Sequence, residues 1–413
     1  MALSSFKSFA SLNKLADKLT HQLAGASASR VTSGPPIALD FGVGSLKILQ
    51  VASGSPPPLV AAACMETPED LIYDHAKRLE FQLGALPKLI RHGGFKGKRA
   101  VCALPSWRVA CRHMQFTKAE GVALDALVAA AVPTQFQCDP GAVVFRASEV
   151  DTGRTGGKAE VVVTAAPRDL VDRLMQGMLA AKLEPVGIHA EFTAILRAFD
   201  MTHRREGDLA LNTLYLDIGT SSTNVMIAHG LSPAFARVVH VGGRTFDDAI
   251  VKQLKCTPEE ATAKRRALGQ TIVNAGQPGS PAGIPAPDRR QGGGGAGFST
   301  EFLAQPAAMA GPEGTDLREP LEMLTDEVSM CLRYHASQFP ERRVERAVFI
   351  GGEARSRGLC QQIARALKLP AQMADPLARV ARTGKEPALG VDLAQAQPGW
   401  AVALGLCLSP TDL

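Results

Sequence analysis

Two stretches of this chain share one pattern: an apolar run, an Asp-x-Gly turn with hydroxyl side chains, and a second apolar run. The first stretch is residues 37–51 and the second is residues 214–227. Apolar runs on both sides of a tight turn predict β-hairpins. Because the same hairpin occurs in both halves of the chain, we expect an internally duplicated fold in which each half presents a loop to a ligand.

The chemistry of the two turns predicts a site for phosphate and a divalent metal. Glycines let the backbone approach an anion, hydroxyls donate hydrogen bonds, and a lysine adds a positive charge. A nearby carboxylate suits Mg²⁺, which proteins hold with one or two carboxylates and substrate phosphates. A single hairpin of this kind is as often a plain connection. The candidate residues are Asp40, Gly42, Gly44, Ser45 and Lys47 in the first hairpin, and Asp217, Gly219, Thr220 and Ser221 in the second.

Length and composition predict a protein of the cytoplasm with more than one core. The chain has 413 residues, of which 46% are hydrophobic. It has no apolar run of about 18 residues and no evident cleavable signal. The eight cysteines form no C-x-x-C pairs and lie mostly in apolar runs, which favours buried, reduced thiols over zinc sites or disulfides. The net charge of +5 comes without an aromatic and basic motif, so nucleic-acid binding is not supported.

The N-terminal segment, residues 1–36, predicts an amphipathic helix at 6–23 followed by a flexible tether. Its apolar residues fall on one helical face and its lysines on the other. The basic residues are Lys7, Lys14, Lys18 and Arg30. Such a helix suits an anionic membrane surface, and docking on the protein itself is the alternative.

Between the hairpins, residues 101–188 predict a small α+β insert. We expect strands at 109–116, 142–148 and 159–166, and helices at 118–131 and 167–182. A helix at 71–90 and a strand at 99–104 precede the insert.

After the second hairpin, the pattern predicts a helix at 246–254 capped by Thr245, and another beginning at Pro258. In that second helix Glu260 and Lys264 are four residues apart, a spacing that a surface ion pair would also explain. Residues 269–317 are rich in Gly and Pro and predict a disordered loop.

Order is predicted to resume with a helix at 317–339 and a strand at 346–350. That strand runs into Gly351 and Gly352, which leave room for a flat base against the backbone.

These features resemble a known superfamily. The two hairpins and the segment 348–354 resemble the phosphate-1, phosphate-2 and adenosine motifs of the actin-like ATPases. With segments 103–106, 165–173 and 241–246, the chain is similar to the PilM family of type IV pilus assembly proteins, which is related to the cell-division protein FtsA. The resemblance covers residues 37–268 and 318–408.

The resemblance implies an α/β, two-lobed actin-like ATPase fold with an inserted small α+β subdomain and a nucleotide in the cleft. The implied divisions are an N-terminal extension at 1–36, first-lobe core at 37–100 and 189–208, an interaction subdomain at 101–188, second-lobe core at 209–242, helices and loop at 243–344, and second-lobe core with a hinge helix at 345–413.

The resemblance also implies ATP and Mg²⁺ as cofactors, with Asp40 and Asp217 at the metal. Glu191 begins the helix before the second hairpin, where such proteins place a group that orients the attacking water; a helix N-terminus would stabilise this carboxylate for structural reasons as well. The remaining residues that would face the nucleotide are Gly243, Glu260, Lys264, Gly351 and Gly352.

The implied function is an ATP-binding scaffold, with weak ATPase activity as a further expectation. It would work on the inner face of the inner membrane and bind the cytoplasmic tail of a PilN-like single-span membrane protein, with self-association as a further expectation. One alternative is an FtsA-like filament protein. Another is a small-molecule kinase, for which no acidic base other than Glu191 is evident.

Overall fold

The computed structural model describes residues 35–118, 122–150, 158–200, 211–274 and 314–411, and they divide into two compact units. Unit 1 takes its described residues from 1–199, 379–393 and 402–413, and unit 2 takes them from 200–378 and 394–401. The helix predicted at 6–23 and most of the loop predicted at 269–317 lie outside the described residues.

The strands alternate with helices along the chain. The strands are β1 (Ile37–Phe41), β2 (Ser45–Val51), β3 (Leu59–Glu66), β4 (Arg99–Leu104), β5 (Ala110–Thr117), β6 (Val143–Glu149), β7 (Lys158–Pro167), β8 (Glu184–Ala190), β9 (Asn212–Ile218), β10 (Thr223–His229), β11 (Ser232–Val239), β12 (Arg346–Ile350), β13 (Ala371–Met373) and β14 (Ala388–Leu389). The helices are α1 (His75–His92), α2 (Leu124–Phe136), α3 (Arg168–Ala180), α4 (Glu191–Asp200), α5 (Gly243–Leu254), α6 (Pro258–Asn274), α7 (Arg318–Gln338), α8 (Arg357–Leu367) and α9 (Ala401–Cys407).

Unit 1 is built on a six-stranded sheet in the order β14-β3-β2-β1-β4-β8. The first predicted hairpin is confirmed, because β1 and β2 pair antiparallel with Asp40 opposite Lys47. Strand β4 runs parallel to β1, and β8 runs parallel to β4. Every residue of β1 is buried, which explains why all of them except Asp40 are apolar.

Helices α1 and α3 pack on each other in unit 1. The Asp74 carboxylate caps α1 by accepting the Lys77 N–H at 3.0 Å. The helix therefore begins later than the predicted residue 71, because Glu69–Leu71 form a 3₁₀ turn instead. Gly177 of α3 lets the two helices approach closely, since a Cβ there would lie 2.5 Å from Leu83 Cδ2.

A separate three-stranded antiparallel sheet, in the order β5-β7-β6, forms the predicted insert. Helix α2 covers one face of it, and Val128 and Val132 pack with Val161 and Val163. The predicted strands are confirmed within two residues. Helix α2 begins at Leu124 rather than at 118, because β5 continues to Thr117.

The insert is narrower than the predicted 101–188. Strands β4 and β8 both belong to the six-stranded sheet. Helix α3 contributes Leu170, Leu174 and Met178 to the core of unit 1. The three-stranded sheet spans residues 110–167, with Val144 and Ala166 packed at the unit 1 core. Removing 101–188 would therefore delete core strands.

Unit 2 is built on a five-stranded sheet in the order β11-β10-β9-β12-β13. The second predicted hairpin is confirmed, because β9 and β10 pair antiparallel with Asp217 opposite Asn224. Strand β12 runs parallel to β9, which places Ile350 beside Asp217. Phe246 of α5 and Val328 of α7 pack in the core beneath this sheet.

The capping of α5 differs from the prediction that Thr245 precedes the helix. The helix begins at Gly243 behind Gly242, and Thr245 is its third residue. Its Oγ1 accepts the Gly242 N–H at 3.3 Å, so the hydroxyl still satisfies a free donor of the first turn.

The division of the C-terminal region also differs from the prediction, which placed all of 345–413 in the second lobe. Residues 379–393 and 402–413 belong to unit 1. Strand β14 pairs parallel with β3, with Ala388 beside Ala62. Gly405 packs directly on the Ala194 carbonyl of α4, where any side chain would overlap it. These contacts depend on residues far apart in sequence, which local patterns do not report.

All eight cysteines are free thiols, as predicted, but only three of them, Cys102, Cys331 and Cys360, are fully buried. Burial raises the pKa of Cys102 to about 12. Across the described ranges, no helix combines the length and apolar character needed to cross a membrane.

Candidate functional site

In unit 1, the hairpin register places a carboxylate and an ammonium group side by side. Lys47 Nζ lies 3.5 Å from Asp40 Oδ2. Asp40 is only 4% exposed. Burial raises the pKa of Asp40, and the charge and hydrogen bond of Lys47 oppose that rise. A second cation beside this carboxylate would therefore favour its ionised form.

The backbone of the first turn is held from two directions. Gln82 of α1 donates its Nε2 hydrogen to the Gly42 carbonyl at 2.8 Å, and the Thr67 N–H donates to the Gly44 carbonyl at 3.0 Å. A Cβ on Gly42 would lie 3.0 Å from the Ser45 carbonyl. The turn is thus held at both glycines and leaves little room for a side chain at Gly42, while Gly42, Gly44 and Ser45 stay half-exposed.

Glu191 has a structural partner in unit 1. It is the first residue of α4 and is buried, and its Oε1 accepts the Ser106 N–H at 3.1 Å. This contact ties the start of α4 to the turn that follows β4. It accounts for a carboxylate at this position.

The entry to the insert is an aromatic and cationic cluster in unit 1. The rings of Trp107 and His75 stack with centroids 4.3 Å apart. The guanidinium carbons of Arg78 and Arg108 lie 5.6 and 5.7 Å from the Trp107 ring centroid. Arg108 also lies 3.5 Å from Asp169 of α3. These contacts attach the insert to α1 and α3.

In unit 2, the second turn lies against the start of α5. The Gly219 N–H donates to the Ser222 carbonyl at 2.9 Å and closes the turn. From α5, the Gly243 N–H donates to the Gly219 carbonyl at 3.0 Å, and the Arg244 N–H donates to the Thr220 carbonyl at 2.8 Å. The second turn and the helix N-terminus therefore form one backbone surface, with Thr220 and Ser221 half-exposed on it.

Asp217 is oriented by the residue opposite it in the hairpin. Asn224 Nδ2 donates to Asp217 Oδ2 at 3.0 Å. On the other side, Asp217 Oδ1 would lie 2.7 Å from a Cβ on Gly351. Asn224 was not predicted as a site residue, although the antiparallel register alone would have paired it with Asp217.

The two predicted glycines after β12 differ in their surroundings. Gly351 has a φ of 92°, and it is packed against the backbone of Ile218. Gly352 is exposed, and a Cβ there would meet nothing within 4 Å. Gly351 therefore serves the backbone path, whereas Gly352 offers an open, flat surface.

Glu260 and Lys264 differ in their exposure. Glu260 is exposed and forms a capping box with Thr257: its Oε2 accepts the Thr257 N–H at 3.0 Å, and the Glu260 N–H donates to Thr257 Oγ1 at 3.2 Å. Lys264 is half-buried on α6. The contacts of Glu260 thus explain it as the start of a helix.

Three charged residues that were not predicted form a buried cluster in unit 2. Arg265 of α6 binds Asp247 of α5 through Nε at 2.7 Å, and it also pairs with Glu353. All three side chains are buried. A Cβ on Gly243 would lie 2.6 Å from Glu353 Oε1 and 2.8 Å from Arg265 Nη2. The sequence signals were the position of Glu353 directly after the glycine pair and that of Arg265 beside Lys264.

The structure thus groups the predicted residues within each unit. Unit 1 brings together Asp40, Gly42 and Lys47, and unit 2 brings together Asp217, the 219–222 turn, Gly243 and Gly351.

Within its own unit, each of Asp40 and Asp217 could supply one oxygen ligand to a magnesium ion that takes its other ligands from water and phosphate. The described residues contain no group of three or more His, Cys, Asp or Glu side chains placed to hold a metal. Each hairpin contains one carboxylate side chain, Asp40 in the first and Asp217 in the second. Mg²⁺ commonly binds in this way, with one or two carboxylates, several waters and substrate phosphates.

Comparison with known proteins places the chain in a family. A sequence profile of the family described as type IV pilus assembly protein PilM matches residues 38–271. No curated protein matches the chain.

Solved structures match over nearly the whole chain. The PilM-PilN type IV pilus biogenesis complex is 23% identical with a TM-score of 0.68, covering 91% of this chain and 98% of that one. The ethanolamine utilization protein EutJ from Carboxydothermus hydrogenoformans is 13% identical with a TM-score of 0.46, covering 90% and 89%. MreB5 of Spiroplasma citri bound to ADP is 13% identical with a TM-score of 0.43, covering 91% and 95%.

The family profile spans both hairpins and the insert, which is more than half of the chain. The first of these structures shares the fold of both units. The chain therefore belongs to the PilM family of type IV pilus assembly proteins and has the actin-like ATPase fold.

Proposed function

We propose that this protein is an ATP-binding scaffold of type IV pilus assembly that captures the cytoplasmic tail of a PilN-like membrane protein. The observation that carries this proposal is the family match across both hairpins and the insert. The match to a chain of a PilM-PilN complex, which is covered to 98%, supports the choice of partner.

The proposed nucleotide site uses the glycine-rich turn of each hairpin. In unit 1, Gly42, Gly44, Ser45 and Lys47 would contact phosphate, and Asp40 would hold Mg²⁺. A bound Mg²⁺ would neutralise phosphate charge and favour the ionised form of the buried Asp40 carboxylate.

In unit 2, Gly219, Thr220 and Ser221 would contact phosphate beside the N-terminus of α5, a position that favours anions. Asp217, which Asn224 orients, would be the carboxylate that unit 2 offers to Mg²⁺. Gly243, Lys264 and Gly352 would border the nucleoside, whereas the capping role of Glu260 counts against its use there.

Calorimetric titration of Mg·ATP tests this site. Asp217→Asn keeps the shape of the side chain but removes its charge, so ATP affinity in Mg²⁺ should fall by at least about tenfold. The matched control is Asp125→Asn, an exposed acid on α2. Undiminished affinity in Asp217→Asn would remove the proposed metal role.

The role of Glu191 is separated by Glu191→Gln. The amide oxygen can still accept the Ser106 N–H, so the fold and ATP affinity should be kept. If Glu191 orients the attacking water, ATP turnover falls while ATP affinity stays unchanged. Unchanged turnover would leave Glu191 a purely structural residue.

The proposed partner surface lies where the insert joins α1 and α3. Tyr73 is 63% exposed and precedes α1. The first residue of α1, His75, stacks on Trp107. Arg108 is half-exposed beside this ring. Aromatic and arginine side chains are the residue types that dominate interface energies. Arg112, on β5, lies instead over Phe136 of α2 at 5.8 Å.

Two arginine variants test the partner surface against the purified tail of a PilN-like protein. Arg108→Glu should weaken tail binding by about 2 kcal/mol, roughly thirtyfold in Kd. Arg112→Glu is the matched control and should bind within about twofold of the wild type. Equal weakening by both variants would contradict this location.

We also propose that the basic segment 1–36 attaches the protein to the inner face of the membrane. Deleting residues 1–30 should then abolish sedimentation with anionic vesicles, and salt should weaken sedimentation of the full chain. Sedimentation that survives the deletion would assign attachment to another part of the chain.

A further inference from the structure

Three elements of unit 2 meet at one buried guanidinium. Arg265 Nε and Nη2 donate to the two Asp247 carboxylate oxygens at 2.7 and 3.2 Å, and its Nη1 donates to Glu353 Oε2. Asp247 comes from α5, Arg265 from α6, and Glu353 from the 3₁₀ turn Gly352–Arg355. Their side chains are 2%, 5% and 7% exposed. We call these three residues the charge brace.

The charge brace touches both backbone segments that carry the glycines of the proposed site. Glu353 directly follows Gly352, so its side chain anchors the glycine turn from within the unit. The same carboxylate and the Arg265 guanidinium press on Gly243, where a Cβ would lie within 2.8 Å of both. The first residue of α5 and the glycine turn are therefore held at a fixed spacing by one arginine.

We propose that Arg265 is a positioning residue for the nucleoside of a bound nucleotide, acting through Asp247 and Glu353 to fix the spacing between Gly243 and Gly352. This inference rests on the proposed nucleotide function. Arg265 does not contact the nucleotide itself: all of its assigned donors point to the two carboxylates, and it is buried behind the glycines.

The charges explain why the arginine is required. The brace has two carboxylates and one guanidinium, and Thr262 adds a hydroxyl that donates to Asp247 Oδ2 at 2.8 Å. Without Arg265, two buried anions from neighbouring elements would face each other without a counter-ion. Such groups repel strongly in a buried setting, and separating them moves the turn that bears Gly352 away from α5.

The hydrogen bonds on the phosphate side join the 219–222 turn to α5 and involve neither Glu353 nor Gly352. The 219–222 turn is held by its own hydrogen bond from Gly219 to Ser222 and by the backbone donors of Gly243 and Arg244. A loosened brace should therefore impair recognition of the nucleoside more than recognition of the phosphate chain. This difference separates positioning from a general loss of structure.

Calorimetry with two ligands tests the proposal in the full-length protein. ATP and inorganic tripolyphosphate, both with Mg²⁺, are titrated into the wild type, Arg265→Gln and the control Arg266→Gln. Arg266 is the next residue on α6 and is exposed. For Arg265→Gln we expect ATP affinity to fall by about tenfold or more while tripolyphosphate affinity changes by less than about twofold, and we expect no change for the control.

Two milder variants keep the test decisive if Arg265→Gln unfolds. Arg265→Lys retains the charge but loses the two-pronged geometry, and Glu353→Gln removes one of the two ion pairs. Both should lower ATP affinity without changing tripolyphosphate affinity. An equal loss for both ligands, or no loss for ATP, would overturn the positioning role. A wild type that binds neither ligand would instead overturn the nucleotide function on which the inference rests.

Discussion

Replacing Gly351 by alanine should damage unit 2, whereas the same change at Gly352 should not. Gly351 has φ 92° and ψ 166°, a region that is essentially closed to residues with a Cβ. Holding another residue there costs about 1–3 kcal/mol. The added methyl would also overlap the Ile218 carbonyl and lie 2.6 Å from its nitrogen and 2.7 Å from Asp217 Oδ1.

The steric cost of the added methyl group adds to the cost of the backbone conformation. Forcing an extra methyl into a packed site typically costs about 1–3 kcal/mol. Together the two effects predict that Gly351→Ala lowers the free energy of unfolding of unit 2 by about 3 kcal/mol or more. At Gly352 a methyl meets nothing within 4 Å, so Gly352→Ala should be neutral or stabilising by up to about 1 kcal/mol.

The two tryptophans provide the assay. Trp107 lies in unit 1 and Trp400 lies in unit 2, where it is 2% exposed. In a Trp107→Phe background, urea unfolding followed by fluorescence reports unit 2. With a urea dependence of about 1–3 kcal/mol per molar, Gly351→Ala should lower the midpoint by roughly 1 M or more. Equal midpoints for the two alanine variants would refute the reasoning.

Three further predictions concern titration and thiol access. Burial raises the pKa of Asp40 above its usual 3.8, so the stability that protonated Asp40 contributes is present at acid pH and lost as pH rises. At neutral pH the Asp40→Asn variant should therefore unfold at a higher urea concentration than the wild type, and this difference should shrink below about pH 4. Burial lowers the pKa of His113 from 6.5, against the effect of Glu160. The stability that neutral His113 contributes is therefore lost as pH falls below about 6.5, and His113→Asn should flatten the loss of stability between about pH 7 and 5. Burial raises the pKa of Cys331 to about 11 and that of Cys102 to about 12, so mass spectrometry should find both unlabelled by iodoacetamide until the chain is denatured.

Local sequence patterns were enough to predict both hairpins. An antiparallel hairpin with a short turn fixes which residues face each other, so Asp40 and Lys47 could be brought together from the sequence alone. The run of buried apolar residues on both sides of the turn determined the strands. The same logic would have found Asn224 opposite Asp217.

The helices of unit 2 show what local sequence patterns cannot predict. Periodicity predicts that α6 exists, but the side of it that packs inward depends on its neighbours. Glu260 was predicted to face the nucleotide, and the structure also gives it a capping contact with Thr257. Arg265 is the buried charge on the described part of this helix, and its two partners come from α5 and from the turn after β12. Contacts between residues this far apart leave no local signature.

The route of the chain through unit 1 has a consequence for synthesis. The β3 edge is completed by β14, and the Ala194 surface is covered by residues from 402 onward. Residues 200–378 are synthesised in between. At about 5–20 residues per second, the surface of α4 waits roughly 10–40 s for its cover. Unit 2 can close before unit 1 does, so a ribosome that stalls before residue 388 leaves an open sheet edge in the half of the protein that was made first.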